Sequence, residues 1–172
     1  MSRARLRKAL LTVHIASSVA LLGTTSGLLV ANVHAARLDD PVDAHAVYEL
    51  LPALVFSLGI PLSVVALASG VTLGLTSRWG VFRHWWVTAK LVALLATVAI
   101  GALLNGPAID DLVAATGRGD TGSSAEWRLV ATTATQAALV LGATVLSVFK
   151  PGRRRGSRTR QTAARSLARS GA

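Results

Sequence analysis

Apolar and small residues run in four long blocks, each far longer than the stripe of an amphipathic helix. Between Lys8 and His34 only His14 can ionise, and Ala9–Val33 is otherwise apolar or small. Leu50 to Ser77 holds no ionisable side chain, and neither does Leu91 to Ile109. Trp85–Ala89 extend that third block past Lys90 toward His84, and Leu129 to Phe149 forms the fourth. About 20 residues, rising about 1.5 Å each, cross roughly 30 Å of hydrocarbon. Every block meets that length. Backbone groups in hydrocarbon must pair within their own segment, which selects helices, and the alternation of barrel strands is absent. The expectation is an all-α, four-transmembrane-helix bundle in residues 1–149, with helices near 9–33, 50–75, 86–107 and 128–149.

Composition agrees with this reading and narrows the chemistry. Of 172 residues, 52% are hydrophobic and 15% charged, more apolar surface than one soluble core hides. The chain has no Cys, which excludes disulfides, thiolate-held metal, iron–sulfur clusters and a cysteine nucleophile. No P-loop, dinucleotide fingerprint, HExxH helix or nucleophile elbow is present.

Charge then sets an orientation. Arg3, Arg5, Arg7 and Lys8 precede the first block, Arg78 and Arg83 separate the second and third, and Lys150 to Arg169 follow the fourth. These regions hold 14 of the 18 basic residues. All eight acids (Asp39, Asp40, Asp43, Glu49, Asp110, Asp111, Asp120 and Glu126) fall in the other two connections. Lys and Arg stay on the cytoplasmic side, so a multi-pass protein of the plasma membrane with both termini inside is expected. A signal peptide is the competing reading of the start. Its apolar region runs about 7–15 residues, against about 23 here.

Small residues and breakers mark the helices. Gly23 and Gly27 in the first, and Gly70 and Gly74 in the second, match the small-xxx-small pattern of close helix packing, within the chain or in a homo-oligomer. Pro61 predicts a kink in the second helix. Residues 106–126 read as a long, mobile outer loop. The tail 150–172 is basic, expected to be disordered, and suited to anionic lipid headgroups. It has no aromatic residue for stacking on bases, which argues against nucleic acid.

Ionisable groups inside hydrocarbon are the first candidates for function. His14 lies six residues past Lys8 and Lys90 seven past Arg83, about 9 and 10 Å along their helices. Both helices run outward, so the two side chains share a depth in the inner leaflet. An imidazole can ligate haem iron or a divalent metal, and an ammonium can hold an anionic substituent or relay a proton. The plainer alternative has Lys90 snorkelling to the interface and His14 packing by hydrogen bonds. Arg78 to Trp86 reads as an interfacial belt, with His84 a looser candidate ligand. The outer stretch His34, Asp39, Asp40, Asp43 and His45 carries imidazoles and carboxylates suited to zinc or copper, in no specific metal spacing. Polar groups elsewhere in the second and fourth helices (Ser57, Ser63, Thr72, Thr132, Thr133, Thr135, Gln136) look too few for a continuous polar path.

The run Trp79-Gly80-Val81-Phe82-Arg83-His84-Trp85-Trp86-Val87-Thr88-Ala89-Lys90, with His14 and the Pro61 to Gly70 spacing, resembles a family of small four-helix membrane proteins common in actinobacteria. More distantly, the plan is similar to CopD-like copper-resistance membrane domains and HemJ-type protoporphyrinogen oxidases. The latter resemblance implies haem b as cofactor, an early first-helix histidine (here His14) as ligand, and a third-helix lysine (here Lys90) important for activity. His34 is a looser match to a histidine ending the first helix. The chain departs from that pattern at Leu22, where a tryptophan is expected, and in lacking an outer histidine on the third helix and an arginine after Glu49.

Overall fold

The computed structural model describes residues 3–76 and 85–149. The expected interfacial stretch Arg78–His84 and the basic tail 150–172 lie outside the described residues. Among those described, the secondary structure is helical with no strand. The chain runs α1 (Arg3–Ala35), α2 (Pro41–Leu54), a π-helical turn (Val55–Gly59) and α3 (Ile60–Thr76). It continues with α4 (Trp85–Ile100), a second π-helical turn (Gly101–Asn105), α5 (Gly106–Thr116) and α6 (Ser124–Phe149). α2 and α3 join through the first π-turn, and α4 and α5 through the second, so four helices are long and apolar enough to cross a membrane: Arg3–Ala35, Pro41–Thr76, Val87–Thr116 and Ser124–Ser147.

The helices extend further into the acidic connections than the apolar blocks do. α2 begins at Pro41 because Asp40 caps it: its carboxylate accepts from Val42 N at 2.8 Å, and Pro41 occupies a first-turn position where no donor is needed. The expected long loop at 106–126 is corrected. Pro107 opens α5 in the same first-turn position, and helix continues to Thr116. Only residues 117–123 connect α5 to α6, turning on Gly119 and Gly122 at φ of 89° and 74°. Glu126 closes the N-terminus of α6, its carboxylate accepting from the backbone N–H groups of Gly122 and Ser123.

The two π-turns explain how Pro61 and Pro107 sit inside long apolar helices. Each turn ends two residues before a proline, Gly59 before Pro61 and Asn105 before Pro107. A proline supplies no N–H and its ring crowds the carbonyl one turn back; a wider turn relieves both. Bonds then run five residues back, from Ile60 N to Val55 O and from Gly106 N to Gly101 O.

α1 is the central helix, packed chiefly on α3 and α6, while α4 packs mainly on α6. Its inward stripe is Ser17, Leu21, Thr25, Asn32 and Ala35, at spacings of three, four and seven. An apolar layer near the acidic end gathers Ala35, Ala44, Tyr48, Leu51, Ile109, Leu112 and Leu129. Toward the middle the interior turns polar, with Thr97, Asn105, Thr133 and Gln136 all buried. The outward faces of α1, α3 and α4 carry large apolar side chains such as Val19, Val64 and Val92. A globule that hides its amides and exposes its valines is built for an apolar surround.

Candidate functional site

His14 projects from α1 onto α3. Its Nδ1 lies 3.1 Å from the carbonyl oxygen of Ala66 and 3.1 Å from Ser69 Oγ. A carbonyl can only accept, so Nδ1 carries the proton and the lone pair of the neutral ring is on Nε2. Ser69 supports this arrangement, because its own hydroxyl donates to Val65 O at 2.6 Å and turns a lone pair to the ring. Ser17 and Ser18 donate to the His14 carbonyl at 3.1 and 2.7 Å, bracing the α1 backbone there.

The ring rests on bare backbone. A Cβ built on Gly70 would stand 2.9 Å from Cε1 and 3.4 Å from Nδ1 of His14, closer than side chains tolerate. Gly70 therefore works as the seat of an imidazole. Gly23 and Gly27 meet nothing within 4 Å, so their small-residue face opens outward from α1 instead of packing inside the chain.

Lys90 is half-buried on α4, near enough for its charge to bear on His14. Both groups belong to the end of the bundle that carries Arg3 to Lys8. A half-buried imidazole whose surroundings include an ammonium group suits an anionic or electron-pair-accepting group.

The outer candidates are not brought together. His34, Asp39 and Asp43 are exposed, and Asp40 is engaged as the cap of α2. His45 turns away to α5, its Nδ1 3.0 Å from Thr116 Oγ1 and its ring 3.4 Å from where a Gly117 Cβ would stand. Thr116 Oγ1 itself donates to Leu112 O at 2.7 Å, so it accepts from His45. Among the described residues no three His, Asp or Glu side chains are grouped to hold a metal ion. The helical start at Pro41 is the physical reason, since it winds Asp43 and His45 into α2 and spends Asp40 on the cap.

A second polar group joins Thr133 and Gln136, two of the polar residues noted in the sequence, to Thr97, Asn32 and Asn105, which the sequence pattern does not single out. Gln136 Nε2 donates to Thr97 O at 2.8 Å, and Asn105 Nδ2 donates to Gln136 Oε1 at 2.7 Å. Asn105 Nδ2 also reaches Thr133 Oγ1 at 3.4 Å, and Asn32 Nδ2 reaches the same oxygen at 3.0 Å. The available signal was the presence of amides, Asn32 and Asn105, in blocks otherwise apolar; attention to ionisable groups alone passes over them. No protein family, curated protein or solved structure matches the chain.

Proposed function

We propose that the chain is a multi-pass plasma-membrane protein, both termini cytoplasmic, that binds haem b through His14 and so serves as a membrane redox module. The observation that carries this reading is the His14 seat. A ring nitrogen pinned to a backbone carbonyl, with the opposite nitrogen left basic, is the arrangement by which proteins orient an iron-ligating histidine. Gly70 lets the ring lie flat against α3, and Lys90 supplies a cation for a propionate. The donor set and the cradle therefore fit the group. Haem would supply one-electron chemistry at its iron. The residues of this chain would hold the imidazole in one tautomer, place the anionic edge at Lys90, and surround both with apolar side chains.

The test is an absorbance spectrum of detergent-purified protein made with haem precursor, beside His14→Ala and Lys90→Ala. The expected result is a Soret band in the wild type, lost in His14→Ala and weakened in Lys90→Ala. A folded wild type without a Soret band removes the reading.

A further inference from the structure

The amide cluster is bound in a way that leaves two amide oxygens without partners. Thr97 O accepts and cannot donate, so it fixes which end of the Gln136 amide faces it. Gln136 then presents Oε1 to Asn105, which fixes Asn105 in turn. Both amide hydrogens of Asn105 are used, on Gln136 and Thr133, and its Oδ1 has no hydrogen-bond partner. Asn32 Oδ1 is in the same position. These residues are 7% and 2% exposed, far from bulk water. Thr133 completes the set. Unlike Thr132 and Thr135 beside it, which donate to Arg128 O and Ala131 O, it makes no bond back to its own helix, so its hydroxyl proton is available.

Two unpaired oxygens, each on an amide that donates to Thr133 Oγ1, stand beside the available Thr133 hydroxyl proton. We propose that water is a bound ligand of this site, donating to Asn32 Oδ1 and Asn105 Oδ1 and accepting from Thr133. Three hydrogen bonds to otherwise unpaired buried groups are what an internal water makes. An alkali cation is a poorer occupant, because it needs about six oxygens and Thr133 Oγ1 already accepts from two amides.

Thr133 is nine residues from the start of α6, about 14 Å from the acidic end. One turn nearer that end lies the layer of Ala35, Ile109 and Leu129, packed around Tyr48, whose buried hydroxyl also has no partner. Glu126 stands a turn further out, close enough for its charge to bear on Tyr48. The Tyr48 hydroxyl is thus a further unpaired polar atom between the acidic end and the Asn32 and Asn105 oxygens.

The experiment is a map of the full-length protein in detergent at a resolution that shows waters, together with unfolding temperatures in sodium, potassium and choline chloride. Density between Asn32 Oδ1 and Asn105 Oδ1, and the same unfolding temperature in all three salts, is the expected result. Continuous protein contact with no density overturns the proposal. So does a sodium- or potassium-specific rise in unfolding temperature that Asn105→Leu abolishes, which would make the ligand a cation. Neither outcome depends on haem, so the two readings stand or fall separately.

Discussion

Gly70 and the pair Gly23 and Gly27 come from the same sequence pattern yet have opposite surroundings, and the difference is decided by single atoms. Gly70 supports the His14 ring at a distance where a methyl group does not fit, whereas Gly23 and Gly27 face open space. Gly70→Ala is expected to push the imidazole off the Ala66 carbonyl, destabilise the protein by about 1–3 kcal/mol, as overpacking does, and remove the Soret band. Gly23→Ala and Gly27→Ala add a methyl that touches nothing in the protomer, and helix propensity favours Ala by about 0.5–1 kcal/mol. Unfolding temperatures of the three variants in detergent should therefore move down for the first and level or up for the others. A fall at Gly23 or Gly27, accompanied by loss of a cross-linked dimer, would instead assign that face to a second copy of the chain. Sequence alone could not separate the pairs, because a Gly-xxx-Gly match records spacing and says nothing of which neighbour arrives.

At the scale of elements, the second π-turn aligns two parts of one helix. Thr97 and Asn105 are eight residues apart, which an undistorted α-helix would place about 80° out of line at 3.6 residues per turn. The extra residue in Gly101–Asn105 takes up that offset, so Asn105 turns inward while Leu103 and Leu104 stay 72% and 53% exposed. Deleting Leu103 together with Pro107→Ala removes the extra residue and the proline that needs the wide turn. That variant is expected to stay monodisperse with an unfolding temperature near wild type. Deleting Leu94 inside α4 would instead rotate Thr97, Asn105 and Ile109 by about 100° and scatter the polar cluster; aggregation on size exclusion is the expected outcome. The four apolar blocks made the four long apolar helices legible. The helical starts at Pro41 and Gly106 were obscured by acids that look like loop but act as cap and first turn. Thr97, Asn105, Thr133 and Gln136 come together only because a π-turn shifts the register, and no count along the chain contains that shift.

For the whole molecule, the decisive asymmetry is that one end of the bundle is basic and the other acidic. Arg3, Arg5, Arg7 and Lys8 lie at the start of α1, while Asp39, Asp40, Asp110, Asp111 and Asp120 lie about the opposite ends of the helices. Moving a basic end across a membrane against the potential is unfavourable, at about 2.3 kcal/mol per charge per 100 mV, which is the physical ground for the proposed topology with the basic end inside. In the proposed topology His14 and Lys90 lie in the inner leaflet, and the site at Asn32 and Asn105 lies toward the middle of the bundle. Because the chain contains no Cys, a single introduced thiol reports position without background. Gly119→Cys, in the exposed turn between α5 and α6, should react with a membrane-impermeant maleimide on intact cells. Ser2→Cys, beside the basic start, should react only after the membrane is opened. The reverse pattern would put the acidic connections in the cytoplasm and the His14 seat in the outer leaflet, and labelling of both on intact cells would mean that the chain does not cross as four spans.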